Sequence, residues 1–215
     1  MEQVQAEEVD RVESRRASRR DEILDAAWEL AREEGLAGLS MRTLASRVGI
    51  RAPSLYAHFD SKDAIYDGMF VRGYREFRAA FERVGAGGAA EDEDGPDPVE
   101  VLRRDATGFV SFANDDPVRF QLLFQHAVPG WHPSESAFAV AVEVYEEGVA
   151  DLARLGITDP AAVDTWTALL TGLASQQVAN DPGGDRWLRL VDDAVDMFLA
   201  RYRPGPAGAS TEGPR

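Results

Sequence analysis

Eight side chains between residues 40 and 62 have types and spacing suited to one task, gripping duplex DNA. They are Ser40, Arg42, Ala52, Pro53, Ser54, Tyr56, His58 and Lys62. Ser40 stands ahead of a helix start, where its hydroxyl and the unpaired backbone N–H groups can seat a phosphate. Arg42 carries the planar fork that pairs with O6 and N7 of guanine. Ala52 and Pro53 offer apolar surface to a thymine methyl, and Ser54 a hydroxyl to a base or a phosphate. Tyr56, His58 and Lys62 supply donors toward the sugar-phosphate backbone. Ahead of all of these, Arg15, Arg16, Arg19 and Arg20 form a basic arm able to follow phosphates or enter the minor groove.

A second group is apolar. Phe109, Phe112, Phe120, Phe124 and Trp131 crowd the middle of the chain, followed by Phe138, Tyr145 and Trp166. Together they suggest a cavity for a small, largely apolar ligand, with few polar anchors. Gln177 is the anchor assigned to that site, beside the candidates Gln176, Asn180, His126 and Tyr145. The stripe Phe138, Val142, Tyr145, Val149 and Leu152 reads as one core-facing side of a helix, with Glu143, Glu146, Glu147 and Asp151 on its solvated back.

Other chemistries are poorly served. The chain has no Cys and three His, so disulfides, thiolates and Cys-based metal sites are excluded. His126 and His132 span a Pro-Gly loop, which is weak metal-ligand spacing. No phosphate-binding Gly loop, nucleophile–base pair or paired-carboxylate motif stands out. No catalytic residue, metal or cofactor is therefore assigned, and the chain is not expected to be an enzyme. An all-helical enzyme or carrier acting on a hydrophobic small molecule is the alternative.

The net charge of −15 at first opposes a DNA partner. Its distribution removes the objection. Residues 11–62 hold ten Lys/Arg against eight Asp/Glu, whereas residues 84–215 hold nine against twenty-two. The acid sits behind the basic front. No apolar run is long enough to span a bilayer and no signal-peptide core opens the chain, so a cytoplasmic location without membrane contact is expected.

The elements that must position these groups all read as helix, nine in number, which makes the fold class all-α. Residues 1–17 read as a flexible charged arm. Ser18-Arg-Arg-Asp21 resembles a capping box, followed by Ile23, Leu24, Ala27, Leu30 and Ala31 on one helix face that stops at Gly35. Helices over 41–48 and 52–58 follow, split by Gly49 and completing a DNA-binding domain at 18–62. A fourth helix from Ser61 to about Arg83 begins a helical ligand-binding and dimerisation domain at 63–203. Within it, residues 85–98 read as a flexible loop. Asp97-Pro98, Asp116-Pro117 and Asp159-Pro160 each read as N-cap and N1, opening helices over 98–113, 117–126 and 160–179. Helices over 134–155 and 185–202 complete the set, and 204–215 reads as a disordered tail.

On helix 160–179, Ala168, Gly172, Ser175 and Ala179 form a small-residue stripe that permits close backbone approach. The last helix is apolar on more than one side, with Val191, Val195 and Phe198 assigned with that stripe to a dimer interface. A homodimer would present two reading heads to a palindrome.

The stretch RRDEILDAAWELAREEGLAGLSMRTLASRVGIRAPSLYAHFDSKDAI, residues 19–65, resembles the DNA-binding domain of TetR-family repressors. The Gly35 break, Ser40, the Leu44-Ala45-x-x-Val48-Gly49-Ile50 run, Leu55-Tyr56, Phe59 and Ser61-Lys62 carry the likeness. The resemblance implies that Ser40, Tyr56, His58 and Lys62 contact phosphates while Arg42, Ala52, Pro53 and Ser54 face bases. Ala52 departs from the polar or basic residue many members carry there. The resemblance further implies a homodimeric repressor on operator DNA, released by a small-molecule effector.

Overall fold

The computed structural model describes residues 2–87 and 96–204, all of it helix, turn and loop, with no strand among them. The nine expected α-helices are present: α1 Glu2–Glu34, α2 Met41–Arg47, α3 Ala52–Tyr56, α4 Lys62–Gly87, α5 Pro98–Asp115, α6 Pro117–Phe124, α7 Glu135–Arg154, α8 Pro160–Asn180 and α9 Val191–Tyr202. Short 3-10 turns occupy Leu36–Gly38 and Leu188–Leu190.

Contacts divide the chain into two compact units, one of residues 1–74 with 118–140, the other of 75–117 with 141–215. In the first unit, Ile23, Ala27, Leu30 and Ala31 of α1 pack in a core that also buries Leu36, Leu39, Leu44, Leu55, Phe59, Ile65 and Met69. The i, i+4, i+7, i+8 spacing on α1 is what places its four side chains on one buried stripe. The buried Tyr66 hydroxyl donates to the Leu36 carbonyl at 2.6 Å, tying α4 to the turn after α1. Trp131 lies 5.5 Å from the Tyr66 ring and 5.8 Å from that of Phe70, so it is a wall of this core. Phe120 and Phe124 pack 5.6 Å apart in the same unit, with Phe124 5.5 Å from Tyr74. Burial pushes the Tyr74 phenol well above its ordinary value, and its hydroxyl donates to the Leu123 carbonyl at 3.3 Å.

In the second unit, α5 packs on α8 and α9. Leu102, Ala106, Val110 and Ala113 recur at helical spacing on the buried side of α5. They share the core with Ala162, Val163, Trp166 and Ala174 of α8 and Val191, Ala194, Val195 and Phe198 of α9. The Asp-Pro starts behave as expected where their caps are seen. The Asp97 carboxylate accepts from Val99 N–H at 3.0 Å, and that of Asp159 from Ala161 N–H at 3.0 Å.

Three boundaries differ from the sequence reading. α1 runs unbroken from Glu2, so Ser18 is interior and caps nothing. The segment from Glu2 to Glu34 holds no Gly or Pro and is rich in Ala, Glu and Arg, so extending an existing helix costs little. α4 likewise continues to Gly87, past the expected end at Arg83, while 88–95 lie outside the described residues, as do 205–215 of the tail. The last helix begins at Val191 and not 185, because Asp185–Leu190 are spent on a turn and a 3-10 step.

Candidate nucleic-acid interface and effector cleft

α2 and α3 are two short helices around a tight turn, and their ends explain the angle between them. The Ser40 backbone is extended (φ −132°, ψ 147°) and its hydroxyl oxygen accepts from Thr43 N–H at 3.1 Å, a side-chain N-cap. At the other end of α2, Gly49 takes φ +72°, the left-handed conformation that closes a helix. Ile50 N–H then reaches back to the Ala45 carbonyl at 2.9 Å. Arg47 bridges α2 to α1, meeting Glu33 at 3.0 Å with one guanidinium nitrogen and Glu29 at 3.6 Å. Hydrogen bonding to Arg47 holds the Glu33 carboxyl below its ordinary value, against an opposing desolvation.

α3 starts without a capping side chain. Its N-cap is Arg51, in extended backbone, with Pro53 in the first turn. Leu55 is its buried anchor, and Arg51, Pro53, Ser54 and Tyr56 are exposed, as is Arg42 on α2. Ser40, Ala52, His58 and Lys62 are part-exposed. The eight residues singled out in the sequence therefore fall in one unit, none of them buried. Their side chains are not equally available. Ser40 is engaged as a cap. Lys62 Nζ donates to the Ala37 carbonyl at 3.4 Å and lies 5.2 Å from the Tyr66 ring centroid. The His58 Nδ1 is buried with no hydrogen-bond partner, and desolvation together with Arg16, Arg19 and Arg20 holds its pKa below the ordinary imidazole value. Both effects favour the neutral ring. Arg51, which the motif reading passed over, is a solvent-facing guanidinium at the head of α3. The signal for it was there: a helix start with an arginine where Ser, Thr, Asp or Asn would cap.

The aromatic candidates do not form one site. A cleft of about 180 Å³ opens in the second unit, lined by Phe77, Phe81, Leu102, Asp105, Phe109, Val144, Glu147, Gly148, Asp151, Trp166 and Leu170. Of the assigned ligand residues only Phe109 and Trp166 line it. Phe112 is one ring removed, stacking edge-on at 5.0 Å against Phe77. Phe120, Phe124 and Trp131 are occupied in the first unit, as described above. Phe138 and Tyr145 are each 51% exposed, and Val142 is exposed beside them, so the first three members of the expected α7 stripe face outward, while Val149 is half-buried and Leu152 is in the core as expected. Gln177 is fully buried, but its groups are consumed locally. Its Oε1 accepts from Trp187 N–H at 2.8 Å and Leu188 N–H at 3.2 Å, and its Nε2 donates to the Asp181 carbonyl. It clamps a turn and has no free group for a ligand. Phe77 and Phe81, missed in the sequence, lie on α4, whose periodicity gave no sign of which face would meet a cleft. Asp105 supplies a polar wall. Burial pushes its carboxyl up, the Arg104 guanidinium at 2.9 Å opposes that, and Asp151 adds to it.

The assigned dimer residues also separate into two sets. Ala168, Gly172 and Ala179 are exposed and Ser175 half-buried, so the small-residue stripe of α8 is uncovered in the single chain. Val191, Val195 and Phe198 are buried in the chain's own core, with Phe198 stacked 4.8 Å from Trp166. They cannot reach a partner. The outward side of α9 carries Met197, with Leu190 just before the helix.

A capped short helix, a glycine turn and a second short helix with solvent-facing Arg, Ser and Tyr define a helix-turn-helix, an arrangement suited to a DNA groove. Residues 23–69 match the family profile of bacterial regulatory proteins, tetR family. The chain is 44% identical over 52 residues to the tetracycline repressor protein class D of Escherichia coli, covering 24% of each chain. It thus spans about a quarter of the length of that relative. It is similar over far more of its length to two solved structures. One is a tetR-family transcriptional regulator from Streptomyces coelicolor, at 20% identity and TM-score 0.64 over 86% of this chain and 80% of that one. The other is the multidrug binding protein EbrR complexed with imidazole, at 27% identity and TM-score 0.58 over 89% and 93%. Residues 23–69 thus resemble the DNA-binding helix-turn-helix of tetR-family regulatory proteins, and the likeness to the solved structures extends the same all-α fold over most of the chain. The family consists of regulatory transcription factors, which are not enzymes. Among the described residues no helix is long and apolar enough to cross a membrane.

Proposed function

We propose that the protein is a transcriptional repressor that binds a palindromic operator as a homodimer and is released by a small, largely apolar ligand. The observation that carries the DNA half is the solvent-facing set Arg42, Ser54 and Tyr56 on two helices whose other faces are locked into a core. Arg42, Ala52, Pro53 and Ser54 are assigned to bases, and Ser40, Tyr56, His58 and Lys62 to the backbone. Because burial and the neighbouring arginines favour the neutral ring, His58 is assigned as a hydrogen-bond donor and not as a cation. Arg51 joins the base-reading set on its position at the head of α3.

The uncovered α8 stripe supports the homodimer. A Cβ placed on Gly172 would meet nothing within 4 Å, so its helix surface is open to a second copy. Two copies would set their recognition helices at half-sites about 34 Å apart. The cleft around Phe77 supports the effector half, and its volume suits a compact ring, since an apolar cavity of ~150 Å³ holds one benzene. Phe77 and Phe81 share α4 with Lys62. A ligand that displaces these rings acts on the helix that leaves the reading head. It must bind the released state more tightly than the operator-bound one, or it shifts nothing.

Selection of duplexes from a randomised library by the full chain, followed by footprinting, tests this reading. The expected result is a two-fold-symmetric protected site that Arg42→Ala loses. Selection of no sequence would sink it. Operator affinity unmoved by every ring compound that quenches Trp166 fluorescence would remove the ligand half alone.

A further inference from the structure

Two of the arginines expected to lie along phosphates are engaged elsewhere. α3 is five residues long, with too few internal hydrogen bonds to fix its own orientation, so whatever holds its ends sets how it is presented. Its N-terminal end follows the Gly49 turn. Its C-terminal end leaves carbonyls with no helical partner and a partial negative charge. Arg16 donates to the Ala57 carbonyl at 3.3 Å, and Arg20 donates to the His58 carbonyl. The Arg20 guanidinium also lies 4.1 Å from the centroid of Phe59, a ring almost wholly buried in the core. Both arginines belong to α1, which is helical through this region because it did not break at Ser18. Arg19 is spent on Glu22, whereas Arg15 is exposed.

We propose that Arg16 and Arg20 are positioning residues for operator reading: they hold the C-terminal end of α3 through the Ala57 and His58 carbonyls and do not themselves bind phosphate. The assignment rests on the reading of α3 as the recognition helix. It makes the N-terminal part of α1 a splint for that helix. Arg20 is the stronger member, because its planar group is fixed on Phe59 while it donates. Loss of either arginine lets α3 roll, and base contacts, which tolerate little misplacement, fail before phosphate contacts do.

The test uses the full chain, the duplex selected by the wild type from a randomised library, and a scrambled duplex of equal length. Affinities for both are measured from ~50 to ~200 mM salt for wild type, Arg20→Ala, Arg20→Lys, Arg16→Ala and Lys62→Ala. A positioning role predicts that Arg20→Ala weakens the selected duplex roughly ten-fold, the scale of one charge-assisted hydrogen bond. The scrambled duplex and the slope of log affinity against log salt stay unchanged. Arg20→Lys does not restore the loss, because an ammonium has no flat face for Phe59. Lys62→Ala weakens both duplexes and flattens the slope. If Arg20→Ala does not melt cooperatively, Arg16→Ala, on an exposed side chain, decides by the same readouts. Parallel weakening on both duplexes, a slope flatter by about 0.9 and rescue by Lys would mean a phosphate contact and overturn the proposal. So would variants that bind both duplexes as the wild type does. A wild type that selects no sequence overturns the DNA reading and this assignment with it.

Discussion

Replacing Gln177 by Leu separates a structural clamp from a ligand anchor. Gln177 has no solvent-accessible surface, and its side chain makes three hydrogen bonds to backbone: from Trp187 N–H, from Leu188 N–H and to the Asp181 carbonyl. Leu is close in volume, so little cavity cost is expected and the loss is one of hydrogen bonding. At a net ~1 kcal/mol per bond, the three sum to about 3 kcal/mol, with the exposed side of the turn free to recruit water and hold the figure there. For a chain of this size, ~2–4 °C per kcal/mol translates that into a fall in Tm of about 6–12 °C. The turn has a second tie, Asn114 on α5, which donates to the Gly184 carbonyl at 3.0 Å and accepts from Gly183 N–H at 2.9 Å. Asn114→Ala combined with Gln177→Leu should therefore cost less than the two singly, since either alone frees the same turn. Calorimetry or thermal circular dichroism of single and double variants measures this. Gln177→Leu that melts within 2 °C of wild type yet loses effector binding would refute the clamp and restore the anchor.

Gly172→Arg should leave the melt of the dilute single chain nearly unchanged, because a side chain there meets open space, yet abolish self-association in sedimentation equilibrium. Dimers that persist would remove the α8 stripe from the interface. Arg42→Ala is expected to cost ~1–3 kcal/mol of operator affinity at one base position, read by mutating each base pair of the selected site in turn. For His58, the folded pKa lies below the ordinary 6.5, so the unfolded chain binds the proton more readily. Its stabilising contribution is present above pH 6.5 and is lost as pH falls through the lower folded value. Proton NMR of the imidazole should give a midpoint below 6.5, and a midpoint above it would contradict the buried, arginine-flanked setting. Phe77→Ala should weaken binding of ring compounds to the cleft while leaving the footprint intact, and an altered footprint without ligand would place Phe77 in the apo architecture instead.

Local chemistry is what this sequence declares by itself. Helix starts at Asp97-Pro98 and Asp159-Pro160, the Ser40 cap and the Gly49 stop depend on one residue and its immediate neighbours, and each is found as read. The helix-turn-helix was legible for the same reason: its core residues Leu44, Leu55 and Phe59 and its exposed side chains lie within some twenty positions. What the chain could not declare is which side of a helix meets which neighbour. α9 is apolar on more than one side, and packing against α5 and α8 buries Val191, Val195 and Phe198 within the chain, leaving Met197 outside. The aromatics of α6 and the loop after it read as one cavity with those of α5, yet Phe120 and Trp131 complete the core of the N-terminal unit while Phe109 lines a cleft with Phe77. Arg16 and Arg20 read in the sequence as part of a basic arm for DNA, yet α1 runs unbroken past them and brings them to carbonyls some forty residues away. Capping and turn chemistry act over one turn of backbone, so sequence order contains them. Burial and long-range hydrogen bonding depend on how helices meet, which only the tertiary structure decides.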